Sequence, residues 1–494
     1  MDCIQLRCDS AYHVPNYQTS GDVCQTNKAS NTAMRSMGLI QGLLVQEDAI
    51  ERAAHAIGMR PEDVREKNLY RLGEMTPFGQ VLDYCYIDAV WKRIKQISGF
   101  AERLAAVQRF NAENRWKKRG ISMIPVKYGS GYNAPFLEQA GALIDVYAQD
   151  GTVLVQQGGV ELGQGLQVKV AQVVAKELNV SLALIEIAGT DLQVVPNPAS
   201  TGASTGSGFN AAAARQACQV LRERLQTYCM KLLDEHGPAW CKSNNIDFWN
   251  YEQGWRAQVG AGGHQRYIWQ NIVSMASMDR LNLSAQVRFQ QQGGTEVDTG
   301  LLFKPNVVAA NGEELVYHFT GFTYSAACTE VEIDVLTGEA TVLRADVLYD
   351  MGKSLNPAID IGQVEGAYVQ GLGYVLSEDV VLQPDGPDKG ALNADNTWRY
   401  KVPATTSIPI ELNVDLFPRS DAPEVPENPY DLYSSKEVGE PPLVLAATAY
   451  FALKHAILAA RKDRGHDEWF FLEAPATVQR VREACLVSAD DLTL

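Results

Sequence analysis

Residues 141–159 read GALIDVYAQDGTVLVQQGG, two apolar runs separated by an Asp-Gly pair at 150–151. An Asp-Gly pair between two such runs is a strong signal for a β-hairpin. Residues 331–350, VEIDVLTGEATVLRADVLYD, repeat the design with Thr-Gly at 337–338. Each hairpin is followed by a glycine-rich stretch and then by a helical pattern. The sequence therefore predicts an α+β fold with two related lobes.

Helical patterns precede the first hairpin. Residues 31–57 carry apolar positions at helical spacing and stop before Gly58, a common helix terminator. Pro61 and the two acids after it open a second predicted helix. Further helices are predicted at 87–97 and 100–116.

Composition and charge narrow the possible partners. The chain has 494 residues, of which 46% are hydrophobic and 21% charged, as in ordinary globular proteins of more than one domain or lobe. A net charge of −16 argues against nucleic acid as a partner. The longest uncharged apolar run, residues 443–453, is shorter than the roughly 20 residues that a bilayer requires. We therefore expect no nucleic-acid or membrane partner.

The nine cysteines are dispersed, without a CxxC pair or a Cys/His cluster at zinc or iron–sulfur spacing. Such a set is typical of reduced thiols in the cytosol.

Four glycine- or serine-rich stretches stand out as candidate ligand loops: 158–166 (GGVELGQGL), 197–208 (NPASTGASTGSG), 360–373 (DIGQVEGAYVQGLG) and the turn 438–442 (VGEPP). A loop of this kind before a helix offers N–H groups to an anion. None has the dinucleotide or Walker pattern, which disfavours a nucleotide-binding protein. Any single stretch could equally be a tight packing turn. The set favours one large polar ligand with a phosphate and ring heteroatoms, whose edges the amides of Gln164 and Gln363 could meet.

Residues 434–450, SSKEVGEPPLVLAATAY, place Glu440 directly before two prolines and an apolar, Ala-rich helix. One interpretation is that Pro441 takes the first helical position and Glu440 caps the positive end of the helix. The other is that Glu440 is a general base held on a stiff turn. Both roles can coexist.

Several of these segments together resemble the molybdenum hydroxylases, the family of xanthine dehydrogenases and aldehyde oxidases. The similar segments are VGEPPL, GGVELGQGL, SLNPAIDIGQVEGAYVQGLG, NTAMR and WKKRGISMIPVKYG, and they follow the family's order along nearly the whole chain. The resemblance implies a two-lobed molybdopterin-binding fold, a molybdenum–molybdopterin cofactor, a cytoplasmic location and a homodimeric enzyme.

The resemblance also implies roles for individual residues. Glu440 matches the catalytic base, which activates a water-derived oxygen for attack on an electrophilic carbon. Cofactor contacts are implied for Arg35, Gly163, Gln164, Gly202, Ala203, Ser204 and Gln363. The family's metal has no protein ligand, so we predict no metal-ligating residue.

The implied substrate pocket departs from the family pattern. Met37 and Tyr132 stand at the two ring positions that would sandwich a purine, with Asn133 beside the second. Cys3 stands near the position of an arginine that helps xanthine dehydrogenases hold a purine, and Glu437 adds a carboxylate where a small residue is more usual. These differences favour an aldehyde or another N-heterocycle as the small-molecule substrate.

Residues 1–75 resemble the C-terminal remnant of a first molybdopterin-binding domain, and residues 76–494 resemble a second. Iron–sulfur and FAD groups are therefore expected only in missing domains or a redox partner, and the chain is expected to be truncated. The alternative function is a catalytically inactive molybdopterin-binding fragment or a scaffold partner of a full-length relative.

Overall fold

The computed structural model describes residues 2–26, 32–132, 135–244, 264–290, 306–308, 314–316, 319, 321–426 and 432–492. The chain divides into two compact units. Unit 1 comprises Met1–Ser130, Val308–Pro429 and Lys436–Leu494. Unit 2 comprises Gly131–Val307 and Tyr430–Ser435.

Five helices come first along the chain, and strands and further helices follow. The helices are α1 (Asp2–Gln5), α2 (Leu39–Ile57), α3 (Pro61–Lys67), α4 (Ile87–Ile97), α5 (Phe100–Glu113), α6 (Leu166–Leu178), α7 (Gly206–Ser243), α8 (His264–Met278), α9 (Pro357–Leu372), α10 (Pro441–Val444), α11 (Ala447–Lys462) and α12 (Val478–Ala484). The strands are β1 (Lys117–Ser130), β2 (Gln139–Val146), β3 (Val153–Gln157), β4 (Ile185–Ile187), β5 (Ser284–Gln290), β6 (Asn306–Val308), β7 (Glu314–Val316), β8 (Gly321–Asp334), β9 (Ala340–Tyr349) and β10 (Glu411–Leu416).

Each unit contains a four-stranded sheet, and the two sheets share one pattern of antiparallel and parallel pairs, although their strands are connected in a different order. Unit 1 has the order β1-β8-β9-β10, antiparallel except for the parallel pair β9–β10. Unit 2 has the order β5-β2-β3-β4, antiparallel except for β3–β4. The central pairs, β2–β3 and β8–β9, are the two predicted hairpins. The prediction of an α+β fold with two related lobes is therefore confirmed.

Strand β1 sends alternate side chains into two different cores of unit 1. Ile124, Val126 and Tyr128 join a core built with α9, α10 and α11. Ile121 and Met123 join a second core built with α4 and α5. The period of two in a strand produces this division. It also directs the side chain of Tyr128 towards the helices that follow Glu440.

The stretch 360–373 is not a loop, so its interpretation as a ligand loop was wrong. It lies almost wholly in α9, which begins at Pro357 with the Asn356 side chain accepting a hydrogen bond from the Ile359 N–H at 3.2 Å. A Cβ at Gly371 would overlap the Leu443 carbonyl of α10. This glycine is therefore required for close helix packing.

The helix predicted at 31–57 begins only at Leu39. The three residues before it have positive φ angles: 81° at Ser36, 21° at Met37 and 84° at Gly38. Such left-handed conformations end a regular helix. They turn the chain at residues 35–38, and this turn is part of the candidate active site.

One helical stretch, Pro441–Lys462, has the length and apolar character that could cross a membrane. Within unit 1, 83% of that window is buried in the protein, as expected for a core helix.

Candidate active site

The turn at residues 436–440 places Glu440 at the start of α10 in unit 1. Pro441 occupies the first helical position, as predicted, and Glu440 is the N-cap residue. The Glu440 side chain makes no capping hydrogen bond. Instead its Oε2 accepts a hydrogen bond from the Tyr128 hydroxyl, in surroundings that leave Glu440 only 7% exposed. The carboxylate is thus directed to β1 and away from its own helix.

Residues 35–36 hold the backbone of this turn. The Arg35 Nε donates to the Gly439 carbonyl, and the Ser36 Oγ donates to the Glu440 carbonyl at 3.0 Å. Burial lowers the pKa of Arg35, whereas the nearby Glu440 carboxylate acts in the opposite direction. The left-handed turn at Ser36 is what presents both side chains to the Glu440 turn.

Arg35 also connects the Glu440 turn to α9. Its Nη2 donates to the Gln363 Oε1 at 3.1 Å, and its Nη1 donates to the Gln370 Oε1 at 3.3 Å. Three of the predicted site residues, Glu440, Arg35 and Gln363, therefore lie together in unit 1. Met37, a predicted substrate residue, follows the same turn and is half-buried.

Glu437 lies three residues before Glu440 and contacts the same strand. Its Oε2 accepts a hydrogen bond from the Ser130 Oγ at 2.7 Å, and the Tyr349 hydroxyl donates to its backbone carbonyl at 2.5 Å. Burial raises the pKa of Glu437, while the Ser130 hydrogen bond and the Lys436 charge oppose this. Two carboxylates in one turn therefore sit in different environments.

The hydroxyl residues of β1 were missed by sequence reasoning. Tyr128 and Ser130 are two positions apart, so their side chains share a face of the strand. One binds Glu440 and the other binds Glu437. The sequence signal that could have indicated them is a pair of hydroxyl side chains, two positions apart, at the end of an apolar strand. Their partners, however, lie more than 300 residues away in sequence.

In unit 2, the loop before α6 is organised by Glu161, another residue that sequence reasoning missed. Its carboxylate accepts hydrogen bonds from the backbone N–H groups of Gly163 and Gly165 at 2.9 Å and of Gln167 at 3.0 Å. Burial opposes ionisation, but these hydrogen bonds outweigh it and lower the pKa of Glu161. The Gln164 amide bonds within the same loop, donating from Nε2 to the Val160 carbonyl at 2.9 Å.

The second loop of unit 2 brings four predicted residues together. Ala203 and Ser204 have φ angles of 52° and 61°, and α7 begins two residues later. The Tyr132 ring lies against Gly202, where an added Cβ would be 2.9 Å from its hydroxyl oxygen. Asn133 lies outside the described residues.

The two loops of unit 2 lie side by side. A Cβ at Gly158 would be 2.9 Å from Pro198, and the Thr190 hydroxyl donates to the Gly159 carbonyl at 2.9 Å. Cβ atoms at Gly206 and Gly208, in the first turn of α7, would meet no atom within 4 Å. The first turn of α7 follows the loop 197–208, here called the serine–glycine loop, and backbone N–H groups at such a helix start suit a phosphate group.

Comparison with known proteins identifies the family. Residues 93–409 match the model of a molybdopterin cofactor-binding domain, and residues 1–69 match that of another molybdopterin cofactor-binding domain. The chain belongs to the molybdopterin cofactor-binding family. The predicted resemblance to molybdenum hydroxylases is confirmed, and so is molybdenum–molybdopterin as the cofactor.

The curated relatives of this molybdopterin-binding chain include xanthine dehydrogenases. The xanthine dehydrogenase of Dictyostelium discoideum is 39% identical over 486 residues, which cover 98% of this chain and 32% of that protein. The xanthine dehydrogenase/oxidase of Gallus gallus is 38% identical over 486 residues, with the same coverage. The chain thus spans about a third of the length of these relatives.

Solved structures show the same fold. The aldehyde oxidoreductase of Desulfovibrio gigas has a TM-score of 0.72 at 22% identity and covers 98% of this chain and 45% of its own. The quinoline 2-oxidoreductase of Pseudomonas putida 86 has a TM-score of 0.69 at 18% identity, covering 92% of this chain and 53% of its own.

Each unit, taken by itself, contains residues whose chemistry suits a part of a molybdopterin. In unit 1, the Gln363 amide offers the donor and acceptor that a pterin edge requires. In unit 2, the serine–glycine loop and the N-terminus of α7 suit its phosphate. No group of three His, Cys, Asp or Glu side chains within the described ranges is placed to hold a metal ion.

Proposed function

We propose that this chain is the molybdopterin-binding part of a hydroxylase that inserts a water-derived oxygen into an aldehyde or an N-heterocycle, with Glu440 as the base. The observation that carries the proposal is the placement of Glu440: a buried carboxylate held on an anchored turn beside Arg35 and Gln363. A general base requires this kind of fixed geometry. The confirmed family is the second support.

When bound, the cofactor supplies the oxygen from water and takes up two electrons from the substrate carbon. The residues of the chain position the proton transfer. The Tyr128 hydroxyl fixes Oε2 of Glu440, so the carboxylate that accepts the proton keeps one orientation. Arg35 and Ser36 hold the backbone on either side of it. A stiff base loses little entropy on reaching the reactive geometry.

The remaining site residues complete the proposal. Arg35 and Gln363 in unit 1 would hold the cofactor, together with Gly163, Gln164, Gly202, Ala203 and Ser204 in unit 2. Met37, Tyr132 and Asn133 would contact the substrate.

We extend the proposal to the whole protein. Residues 1–75 and 76–494 would be parts of two molybdopterin-binding domains. Iron–sulfur and FAD groups, in further domains or in a redox partner, would carry the electrons away. The assembly would be a cytoplasmic homodimer.

The Glu440→Gln variant tests the base. It should lower the turnover of an aldehyde substrate by about two to four orders of magnitude, because it removes the proton acceptor but keeps the side-chain shape. Its molybdenum content should stay unchanged. The measurement is turnover with an artificial electron acceptor, normalised to molybdenum. Glu339→Gln, the same change at an exposed site of unit 1, is the control.

Turnover by Glu440→Gln close to that of the control would refute the assignment of the base. A wild-type chain that contains molybdenum but has no turnover with any aldehyde or N-heterocycle would favour the alternative, a catalytically inactive fragment or scaffold partner.

A further inference from the structure

Arg7 is a buried cation that contacts the segment of β1 to which the proposed base is bonded. Its side chain is 4% exposed, and its Nη2 donates to the Gly129 carbonyl at 3.1 Å. Gly129 lies between the two hydroxyl residues of β1 that bind the carboxylates of Glu440 and Glu437. One short segment of strand thus contacts a guanidinium and, through its flanking hydroxyls, two carboxylates.

Two aromatic rings support the guanidinium of Arg7. Its central carbon lies 5.2 Å from the ring centre of Tyr128 and 4.7 Å from that of Phe319. A side chain at Gly129 would overlap the Phe319 ring, so glycine permits this arrangement. Rings stabilise a cation through its faces and leave its N–H donors available. The hydroxyl of Tyr128, one of these rings, is bonded to Glu440.

Most donors of this guanidinium have no partner in the described part of the chain. Nε and Nη1 are buried there without a hydrogen bond. The acid nearest in sequence, Asp9, is already engaged by the Lys127 ammonium at 2.8 Å and the Tyr70 hydroxyl at 2.9 Å. Burying a cation with unsatisfied donors is costly unless an anion completes the site.

We infer that Arg7 binds a carboxylate of the substrate, and therefore that the substrate class is aldehydes or N-heterocycles that carry a carboxylate group. A carboxylate accepts two guanidinium N–H bonds at once, in a planar geometry that point charges cannot match. The inference rests on the proposed function, because it assigns the substrate class of the Glu440 site. Binding through Arg7 would orient the substrate, and the carboxylate itself would not react.

The test compares benzoate with benzamide, its neutral analogue of similar shape, as probes of the full chain. Calorimetry and thermal shift are measured for wild type, Arg7→Met, Arg7→Lys and the exposed control Arg109→Met. Benzoate should bind wild type and the control, and Arg7→Met should weaken this binding about 10- to 100-fold, the usual range for a hydrogen-bonded charge. Arg7→Lys should keep part of the affinity. Benzamide affinity should change less than about threefold.

Arg7→Met without benzoate should melt at or above the wild-type temperature, since methionine suits an apolar ring surface and removes an uncompensated charge. Either of two results in these binding experiments would overturn the inference. One is benzoate binding that survives Arg7→Met. The other is no benzoate binding by wild type together with a lower melting temperature for Arg7→Met, which would make Arg7 a structural cation only.

The two proposals can fail separately. Benzoate binding that depends on Arg7, in a molybdenum-loaded chain without turnover, would support the anion site and refute the hydroxylase. Turnover of benzaldehyde and 4-carboxybenzaldehyde with equal KM would support the hydroxylase and refute the anion site.

Discussion

At the scale of residues, two carboxylates three positions apart have different neighbours. Glu440 is bonded to a tyrosine hydroxyl of β1 and lies near the guanidinium of Arg35. Glu437 has a serine hydroxyl instead, and burial raises its pKa. Two acids with unequal surroundings can take different roles in one site. This difference follows from contacts of β1 and cannot be read from the sequence SKEVGEPP.

Glu437→Gln should therefore change stability in a pH-dependent way. Because the pKa of Glu437 is raised in the folded state, its contribution to stability is greatest below the ordinary glutamate value of 4.5 and is lost as pH rises through the folded pKa. The amide that replaces this carboxyl group cannot ionise. We expect the variant to melt above wild type at pH 7.5, because it removes the cost of an ionised carboxylate in a buried position.

The difference in melting temperature should disappear at pH 4. Differential scanning calorimetry across this pH range checks it, with Glu339→Gln as the exposed control. A variant that melts below wild type at pH 7.5 would show instead that ionised Glu437 stabilises the turn.

At the scale of elements, those defined by local sequence were predicted correctly, whereas those that depend on long-range contacts were not. The hairpins β2–β3 and β8–β9 were predictable because turn chemistry is local. Helix α9 was predicted as a loop because its glycines lower helix propensity. Its start signals, Asn356 and Pro357, were present in the sequence. What makes Gly371 favourable is the close approach of α10, a contact across more than 70 residues.

The packing of α9 against α10 also determines at which of its glycines a substitution lowers stability. Gly371→Ala should destabilise the protein by about 1 to 3 kcal/mol, the usual range for overpacking. Its Cβ would overlap the Leu443 carbonyl and lie 2.6 Å from the Ala446 side chain. Gly366→Ala is the matched control, because its Cβ would meet nothing within 4 Å.

Alanine at Gly366 should stabilise α9 by up to about 1 kcal/mol through helix propensity. Urea unfolding of both variants measures the two effects. Equal stability of the two variants would mean that the packing of α9 on α10 adapts to the added methyl group.

At the scale of the whole molecule, the sheets of the two units share one pattern of strand pairing, but the units carry different chemistry. Unit 1 holds Glu440, Glu437 and Arg35, whereas unit 2 holds the N-terminus of α7 and the serine–glycine loop. The sequence allowed glycines and glutamines to be proposed as cofactor-binding residues, since their patterns are local. It could not predict Tyr128, Ser130 or Arg7, whose roles arise from long-range contacts.

The proposed cofactor residues belong to both units, so a variant in either unit should lower the molybdenum content. Gln363→Ala in unit 1 removes an amide bonded to Arg35. Gln164→Ala in unit 2 removes an amide that also bonds its own loop, so it both deletes a contact and loosens the loop. Each should lower cofactor affinity about fivefold or more, since one hydrogen bond contributes about 1 kcal/mol. The Gln164→Ala variant should lose additional cofactor affinity, because its loosened loop must become ordered on binding and this ordering costs binding energy.

Metal analysis by mass spectrometry and pterin fluorescence, both per mole of protein, measure the effect. The control is Gln108→Ala, the same change at an exposed position of α5. If only the Gln363 variant loses molybdenum, unit 1 alone determines cofactor affinity and the assignment of Gln164 is wrong. If only the Gln164 variant loses molybdenum, Gln363 positions Arg35 and does not hold the pterin. Our assignment requires that both variants lose molybdenum while the Gln108→Ala control keeps it.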